Sequence, residues 1–581
     1  MPPRPRLLLC CAALIFCLGT VSAALAAAPG PYVTAANVRV ELDFTAAKAV
    51  ADPFNTLTVD AVVTAPDGGT LRVPAFWAGG TRWKVRYASP LLGTHRYRTV
   101  CSDPSDSGLN GVTGSIEVTP YTGTVPAYQH GPLRVSKNRR FLEHRDGTPF
   151  FWLGDTWWMG LCHRLKWPDD VKTLAANRKE KGFNVIQIVA GLYPDMPPFD
   201  PCGANEAGFP WEEGFARIRP EYFDAADQRF FHLVEEGFTP CIVGAWGYFL
   251  PLMGVEKAKQ HWRYLVARYG ALPVVWCVAG EANLPYYLAK GFPFDDREQV
   301  KGWTEVARFL RELDPYHHLI TIHPTGLGRL SARNAINDVS LLDFDLLQTP
   351  HGQRKAVAPT VRTVRESYSD TPVMPVINGE PAYEMLNDTL PTEWTRQMAW
   401  LCLLNGAMGH TYGGNGIWQV NRRGQPHGPS PNHKPGSTGY GIIAWDDAMN
   451  LPGSTQVAWA AKLLQRHAWQ TFTPHPEWAE FAAPSPLVQT PPPGSPEFYG
   501  PQAAGIEGGV RIIYVPLPAP ITVRGLGTTA YTASHFDPVT GISHPLGLLR
   551  GDARGETTVP APTPPPGESG HDWVLVLEVT R

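Results

Sequence analysis

Two glutamates close apolar runs in a matching way. Glu281 follows "VVWCVAG" (274 to 280), and Glu380 follows "VMPVING" (373 to 379). Two carboxyl groups on opposite sides of a cleft are the group set of glycosidic bond cleavage: one attacks or activates water, and the other protonates the leaving oxygen. A separation of roughly 5 to 5.5 Å goes with retention and roughly 6.5 to 9.5 Å with inversion. Taken alone, Glu281 reads as a solvated charge at a strand end. Glu380 changes the balance, because a nearly apolar run passes straight into Asn378, Gly379 and Pro381, a setting that fixes the backbone and limits solvent. The catalytic pair expected here is therefore Glu281 and Glu380.

Other polar residues close further apolar runs: Asp155, Gln187, Trp246, His323, Gln348 and His410. Asp155, Trp157, His163, His323, His410, Tyr412 and Trp418 are the candidates for binding a sugar by hydrogen bonds and ring stacking, each weighed against a satisfied core residue. Asp155 and Glu384 are further acidic candidates, for positioning hydroxyls or tuning the pair. His317, His318 and His323 come with no HExxH or other tight ligand spacing, so no metal and no cofactor are expected. A GxSxG nucleophile elbow is absent, against an esterase of the α/β-hydrolase type.

The elements that must position these groups are short apolar runs alternating with helical stretches, the pattern of a parallel sheet with crossover helices. The strand candidates are 150–156, 183–190, 238–246, 274–281, 319–325, 343–349, 373–380 and 406–413. Eight is the number that closes a (β/α)8 TIM barrel, whose functional groups sit at the C-terminal strand ends. "PDDVKTLAANRKEKG" and "EKAKQHWRYLVARYG" read as helices ending in glycine C-caps. The Pro- and Gly-rich segment from Gly191 to Trp211 follows the second run and is expected in the cleft wall.

Short β-type runs from about Tyr32 to Tyr121 predict a small antiparallel sandwich, and a second β-rich stretch follows the proline-rich "APSPLVQTPPPGSP". The fold class expected is thus α/β: a (β/α)8 barrel flanked by N-terminal and C-terminal β-sandwich domains. The expected boundaries are a signal peptide over 1–28, a sandwich over 29–125, the barrel over 126–470 and a second sandwich over 471–581.

Arg4 and Arg6, an apolar run from Leu7 to Val21 and small residues through Ala26 form the signal pattern, so a secreted or periplasmic location is expected. No later apolar run is long enough to span a bilayer. A net charge of -3 offers no footprint for nucleic acid. The partner expected is a carbohydrate, a poly- or oligosaccharide, and the 19 tryptophans and 20 tyrosines supply flat rings for sugar faces, although a large core accounts for most of them. Outside the leader, the cysteines are scattered without C-x-x-C spacing; a Cys162–Cys202 disulfide and buried free thiols both fit.

"FFWLGDTWWMGLCHRL", "KGFNVIQIVA", "VVWCVAGEAN", "INGEPAYE" and "GHTYGGNGIWQ" resemble the apiosidase-like glycoside hydrolase family. "WKVRYASPLLGTHRYRT" resembles its N-terminal module, and "YTASHFDPVTG" with "DWVLVLE" its C-terminal domain, called collagen-binding-like. The resemblance implies a retaining mechanism of the clan A type, with Glu281 as acid/base after strand four and Glu380 as nucleophile after strand seven. Relatives often carry "GGD" where this chain has Ala279, Gly280 and Glu281, so apiose specificity is not carried over. The alternative reading is a non-catalytic carbohydrate- or matrix-binding protein.

Overall fold

The computed structural model describes residues 1, 31–287, 295–326, 328–428, 440–483, 499–564, 566 and 569–580. The expected signal peptide, beyond Met1, lies outside the described residues.

All eight apolar runs contain parallel strands: β1 (Trp152–Thr156), β2 (Val185–Val189), β3 (Thr239–Val243), β4 (Val275–Cys277), β5 (Ile320–Thr321), β6 (Asp345–Gln348), β7 (Val376–Glu380) and β8 (Gly409–Tyr412). Six form one sheet in the order β5-β4-β3-β2-β1-β8, and β6 pairs with β7 in another. Hydrogen bonds cross both seams between the two sheets. Asp343 N–H donates to the Ile320 carbonyl (2.9 Å) at one, and Met408 N–H donates to the Val376 carbonyl (2.8 Å) at the other. Every residue of β1, β2 and β3 is buried, which is why these runs are mostly apolar on both faces: helices cover a parallel sheet on its outer face.

Helix α1 (Asp169–Lys181) carries Asp169 and Asp170 in its first turn and Arg178, Lys179 and Lys181 in its last, matching the helix dipole. Gly182 ends it at φ 93, its N–H reaching the Arg178 and Lys179 carbonyls, a left-handed cap that glycine adopts without strain. The second expected glycine cap differs. After α2 (Pro220–Glu235) and α3 (Val255–Tyr269), Gly270 stays right-handed at φ -63; here the reason for glycine is space, since a Cβ would sit 2.6 Å from the Val266 carbonyl oxygen. α4 (Asp296–Leu313) follows β4. Between β5 and β6 the described residues hold two 3-10 turns, Ala332–Asn334 and Val339–Leu341, in place of an α-helix. α5 (Arg354–Ser369), α6 (Thr392–Leu403) and α7 (Pro452–Leu464) complete the series.

The N-terminal segment forms a five-stranded and a three-stranded sheet, whose facing sides meet where Phe44 packs edge-on against Tyr97 (6.0 Å between ring centres). One pairing departs from the antiparallel expectation: Tyr32–Ala35 runs parallel to Thr113–Thr119. These strands open and close the segment, so no hairpin dictates their relative direction. The C-terminal segment forms an antiparallel six-stranded sheet and a three-stranded one. Buried charges tie both segments to the central sheet. Asp227 of α2 accepts from Arg86 (3.2 Å) and from Arg268 of α3 (2.9 Å), while Asp572 accepts from Arg396 of α6 (2.9 Å) beside a stack of Trp400 on Tyr514. Cys162 and Cys202 are both free thiols, so the disulfide considered for them is not formed.

Candidate active site

The C-terminal ends of β4, β6 and β7 open on a cleft of about 400 Å³ that contains both glutamates. Glu380 is the last residue of β7 and is 6% exposed. Glu281 lies four residues beyond β4 in a turn that holds it at φ 39, in the left-handed region where a non-glycine residue is strained. Such strain persists only where surroundings enforce it. Here the Glu281 carboxylate accepts from the Gln348 amide (2.8 Å to Oε1) and from the Trp246 indole (3.3 Å to Oε2), both strand-end residues singled out in the sequence.

The two carboxyl groups are driven apart electrostatically. Burial, and after it the negative charge of Glu380, push Glu281 up to about 8, against the Gln348 and Trp246 donors. Burial alone would raise Glu380 as well, but His323, His351 and Tyr383 outweigh it and hold that carboxyl below the usual range. His323 Nε2 lies 3.1 Å from Glu380 Oε2, and His351 Nε2 lies 3.3 Å from Oε1. At neutral pH the arrangement thus holds one protonated and one ionised carboxyl group on the same cleft, an acid beside a base or nucleophile.

Aromatic rings make up much of the wall: Trp158, Trp246, Tyr287, Tyr383, Trp418 and Tyr440. The Trp158 indole donates to the Tyr383 hydroxyl (3.1 Å), and Trp418 packs edge-on against Tyr440 (5.0 Å). Pro194 and Asp195 bring the 191–211 segment into the wall as expected. The Asp195 carboxylate accepts from the hydroxyls of Tyr287 (2.8 Å) and Tyr440 (3.0 Å), linking the loops that follow β2, β4 and β8.

Of the seven residues expected to bind sugar, Trp418 lines the cleft, and His323 adjoins it through Glu380. Four others are buried away from it, and strand parity explains most of this: successive side chains point to opposite faces. On β1, Trp152 faces inward, its indole donating to Thr411 (3.0 Å). Asp155 therefore points outward, to an ion pair with Arg178 of α1 (2.6 Å) and to the Trp157 indole (2.7 Å). On β8, Thr411 faces inward and its neighbours His410 and Tyr412 do not. Tyr412 donates to Glu384 (2.6 Å), which also accepts from Thr392 and from the Gly453 amide, so Glu384 is a buried structural carboxylate. Burial pushes the His410 imidazole down to about 3. His163 is exposed outside the cleft, its Nδ1 2.6 Å from the Ala204 carbonyl oxygen.

Sequence reasoning passed over Trp158, Asp195, Tyr287, His351, Tyr383 and Tyr440. Two of these carried a legible signal: His351 lies three residues past β6 and Tyr383 three past β7, beyond the first polar residue at each strand end but still over the cleft. Among the described residues, no group of three or more His, Cys, Asp or Glu is arranged to hold a metal ion, and no helix is long and apolar enough to cross a membrane.

Residues 136–471 match the family model described as apiosidase-like, catalytic domain, and residues 37–102 match a domain of unknown function, DUF5060. No curated protein matches the chain. Among solved structures, a glycoside hydrolase is 23% identical with a TM-score of 0.61, covering 79% of this chain and 98% of its own. A glycoside hydrolase family 5 protein from Bacteroides vulgatus is also 23% identical, with a TM-score of 0.62 and coverage of 79% and 95%. A further Bacteroides vulgatus structure, 16% identical with a TM-score of 0.63, covers 94% of this chain and 100% of its own. At these identities the likenesses establish the fold.

Proposed function

The chain belongs to the apiosidase-like family, and from that premise we propose that it is an exported glycoside hydrolase cleaving a glycosidic bond in a poly- or oligosaccharide by a retaining double displacement. The two parallel sheets would together form one eight-stranded barrel flanked by sandwich domains, with the cleft at its C-terminal mouth.

The observation that carries this reading is the opposed state of the two carboxyl groups. Glu281, pushed up to about 8, holds a proton at neutral pH, and Glu380 does not. In the first step Glu380 attacks the anomeric carbon while Glu281 delivers its proton to the departing oxygen. The aglycone leaves as an alcohol, and a glycosyl ester remains on Glu380. Loss of the Glu380 charge removes one of the influences that raise Glu281, so the Glu281 carboxylate is set to take a proton from water in the second step. That water attacks the anomeric carbon and frees Glu380. Tyr383, Trp418 and Tyr440 offer ring faces and hydroxyls to the sugar. Export rests on the N-terminal signal pattern.

The test is a screen of the purified protein against a polysaccharide library, with identification of the released sugars and proton NMR of the first-formed anomer. Retention and loss of turnover in Glu380→Gln, with folding intact, are expected. Undiminished release by Glu380→Gln would sink the nucleophile assignment, and inversion would sink the double displacement. Glycan binding without hydrolysis by any form, unaffected by either glutamate, would favour the binding-protein reading.

A further inference from the structure

His323 is fully buried, so it makes no contact with a ligand in the cleft, yet it touches the segments that carry both carboxylates. Its main chain holds the Glu281 turn at two points: its N–H donates to the Ala279 carbonyl (2.9 Å), and its carbonyl accepts from the Ala282 N–H (2.9 Å). Its ring spans the remaining gap. Nδ1 lies 3.4 Å from the Glu281 amide nitrogen and Nε2 lies 3.1 Å from Glu380 Oε2. The ring is wedged edge-on against Trp158 (5.5 Å between ring centres) and tilted against Trp246 (6.2 Å), so its orientation is fixed by two aromatic walls of the cleft. A proton on Nδ1 is donated to the Pro324 carbonyl oxygen (2.8 Å), and a proton on Nε2 faces Glu380 across 3.1 Å.

We propose that His323 is a positioning residue that joins the two carboxylates: its ring presents an N–H to Glu380 while its ring and main chain clamp the left-handed turn that aims Glu281. It acts without touching substrate. The proposal rests on the assignment of Glu281 and Glu380 made above. Glu380 is faced by Glu281, His323, His351 and Tyr383. Glu281 is faced by Glu380 and Asp195, with Gln348 and Trp246 donating to it. Without the His323 ring, Glu380 keeps two of its three favourable neighbours against burial and against Glu281, and the Glu281 turn loses its side-chain contact.

Two isosteres separate the halves of this role. Asparagine sets an amide at the place of Nδ1 and leaves nothing at Nε2; glutamine reaches the place of Nε2 and vacates Nδ1. The full-length protein, His323→Asn and His323→Gln are labelled with a water-soluble carbodiimide, which reacts with protonated carboxyl groups, across a range of pH. Labelling is followed peptide by peptide with mass spectrometry, and thermal unfolding verifies that each form is folded. At pH 6 Glu380 is expected to label about tenfold faster in His323→Asn than in the unmodified protein, a shift of about one pH unit, and within about twofold of it in His323→Gln. Glu281 should react in all three forms, reporting that the reagent enters the cleft. Equal Glu380 labelling in all three folded proteins would overturn the proposal. The labelling needs no substrate, so failure to hydrolyse any glycan would count against the glycosidase reading alone.

Discussion

The side-chain amide of Gln348 donates to Glu281 Oε1 at 2.8 Å, joining the end of β6 to the turn after β4. This bond favours the ionised form of a carboxyl group that burial and Glu380 otherwise keep protonated. Replacing Gln348 with Ala should therefore raise Glu281 further and move the basic limb of the pH profile to higher pH. It should also loosen the carboxyl group, with a fall in kcat of about tenfold, the scale of one lost hydrogen bond to a charged group. Steady-state kinetics across pH reads both effects. An unchanged basic limb would count against the bond's part in setting Glu281.

The pH profile of the unmodified enzyme should be bell-shaped. Turnover needs Glu380 ionised and Glu281 protonated. The acid limb should then fall below the usual carboxylate range, and the basic limb should fall near pH 8, where Glu281 loses its proton. Measuring kcat/KM from about pH 3 to 10 tests this; a basic limb near pH 5 would remove Glu281 as the acid.

Glu281 also sets a pH dependence of stability. A carboxyl group raised from 4.5 to about 8 by folding binds more protons in the native than in the unfolded state. Its contribution is fully present below pH 4.5 and is lost as pH rises from there through about 8. Glu281→Gln removes this dependence, so it should gain stability relative to the unmodified protein across that window, by on the order of a few kcal/mol at its upper end. Thermal unfolding of both proteins at pH 4.5 and pH 8.5 gives the comparison, and an equal difference at the two values would contradict it.

The fully buried pair of Asp155 and Arg178 belongs to the packing between β1 and α1. Asp155→Ala leaves the Arg178 charge buried without its partner and should cost about 3 to 5 kcal/mol of stability. The effect on KM per folded molecule should be small. Denaturant unfolding and active-fraction kinetics separate the two; a large rise in KM with unchanged stability would return Asp155 to the sugar-binding set.

By itself the sequence determined the local pieces. Short, mostly apolar runs separated by helical stretches and turn residues read as covered strands, so all eight were legible, and so was the cap at Gly182, which needs only its own backbone. The carboxylates at 281 and 380 stood out because a charge that abruptly ends an apolar run needs no partner to be noticed. Tertiary structure decided which polar groups share the cleft. Side-chain parity turned Asp155, His410 and Tyr412 outward from strands whose ends were correctly located, and parity depends on register with neighbouring strands rather than on residue type. Asp195 enters the site from a loop whose course the apolar pattern does not record, while His351 and Tyr383 enter three residues past strand ends that it does record. The opposed states of Glu281 and Glu380 likewise come from burial and from contacts with Gln348, His323 and His351, all distant in sequence from at least one of the glutamates they touch, so no local reading of "AGEAN" or "NGEP" contains them.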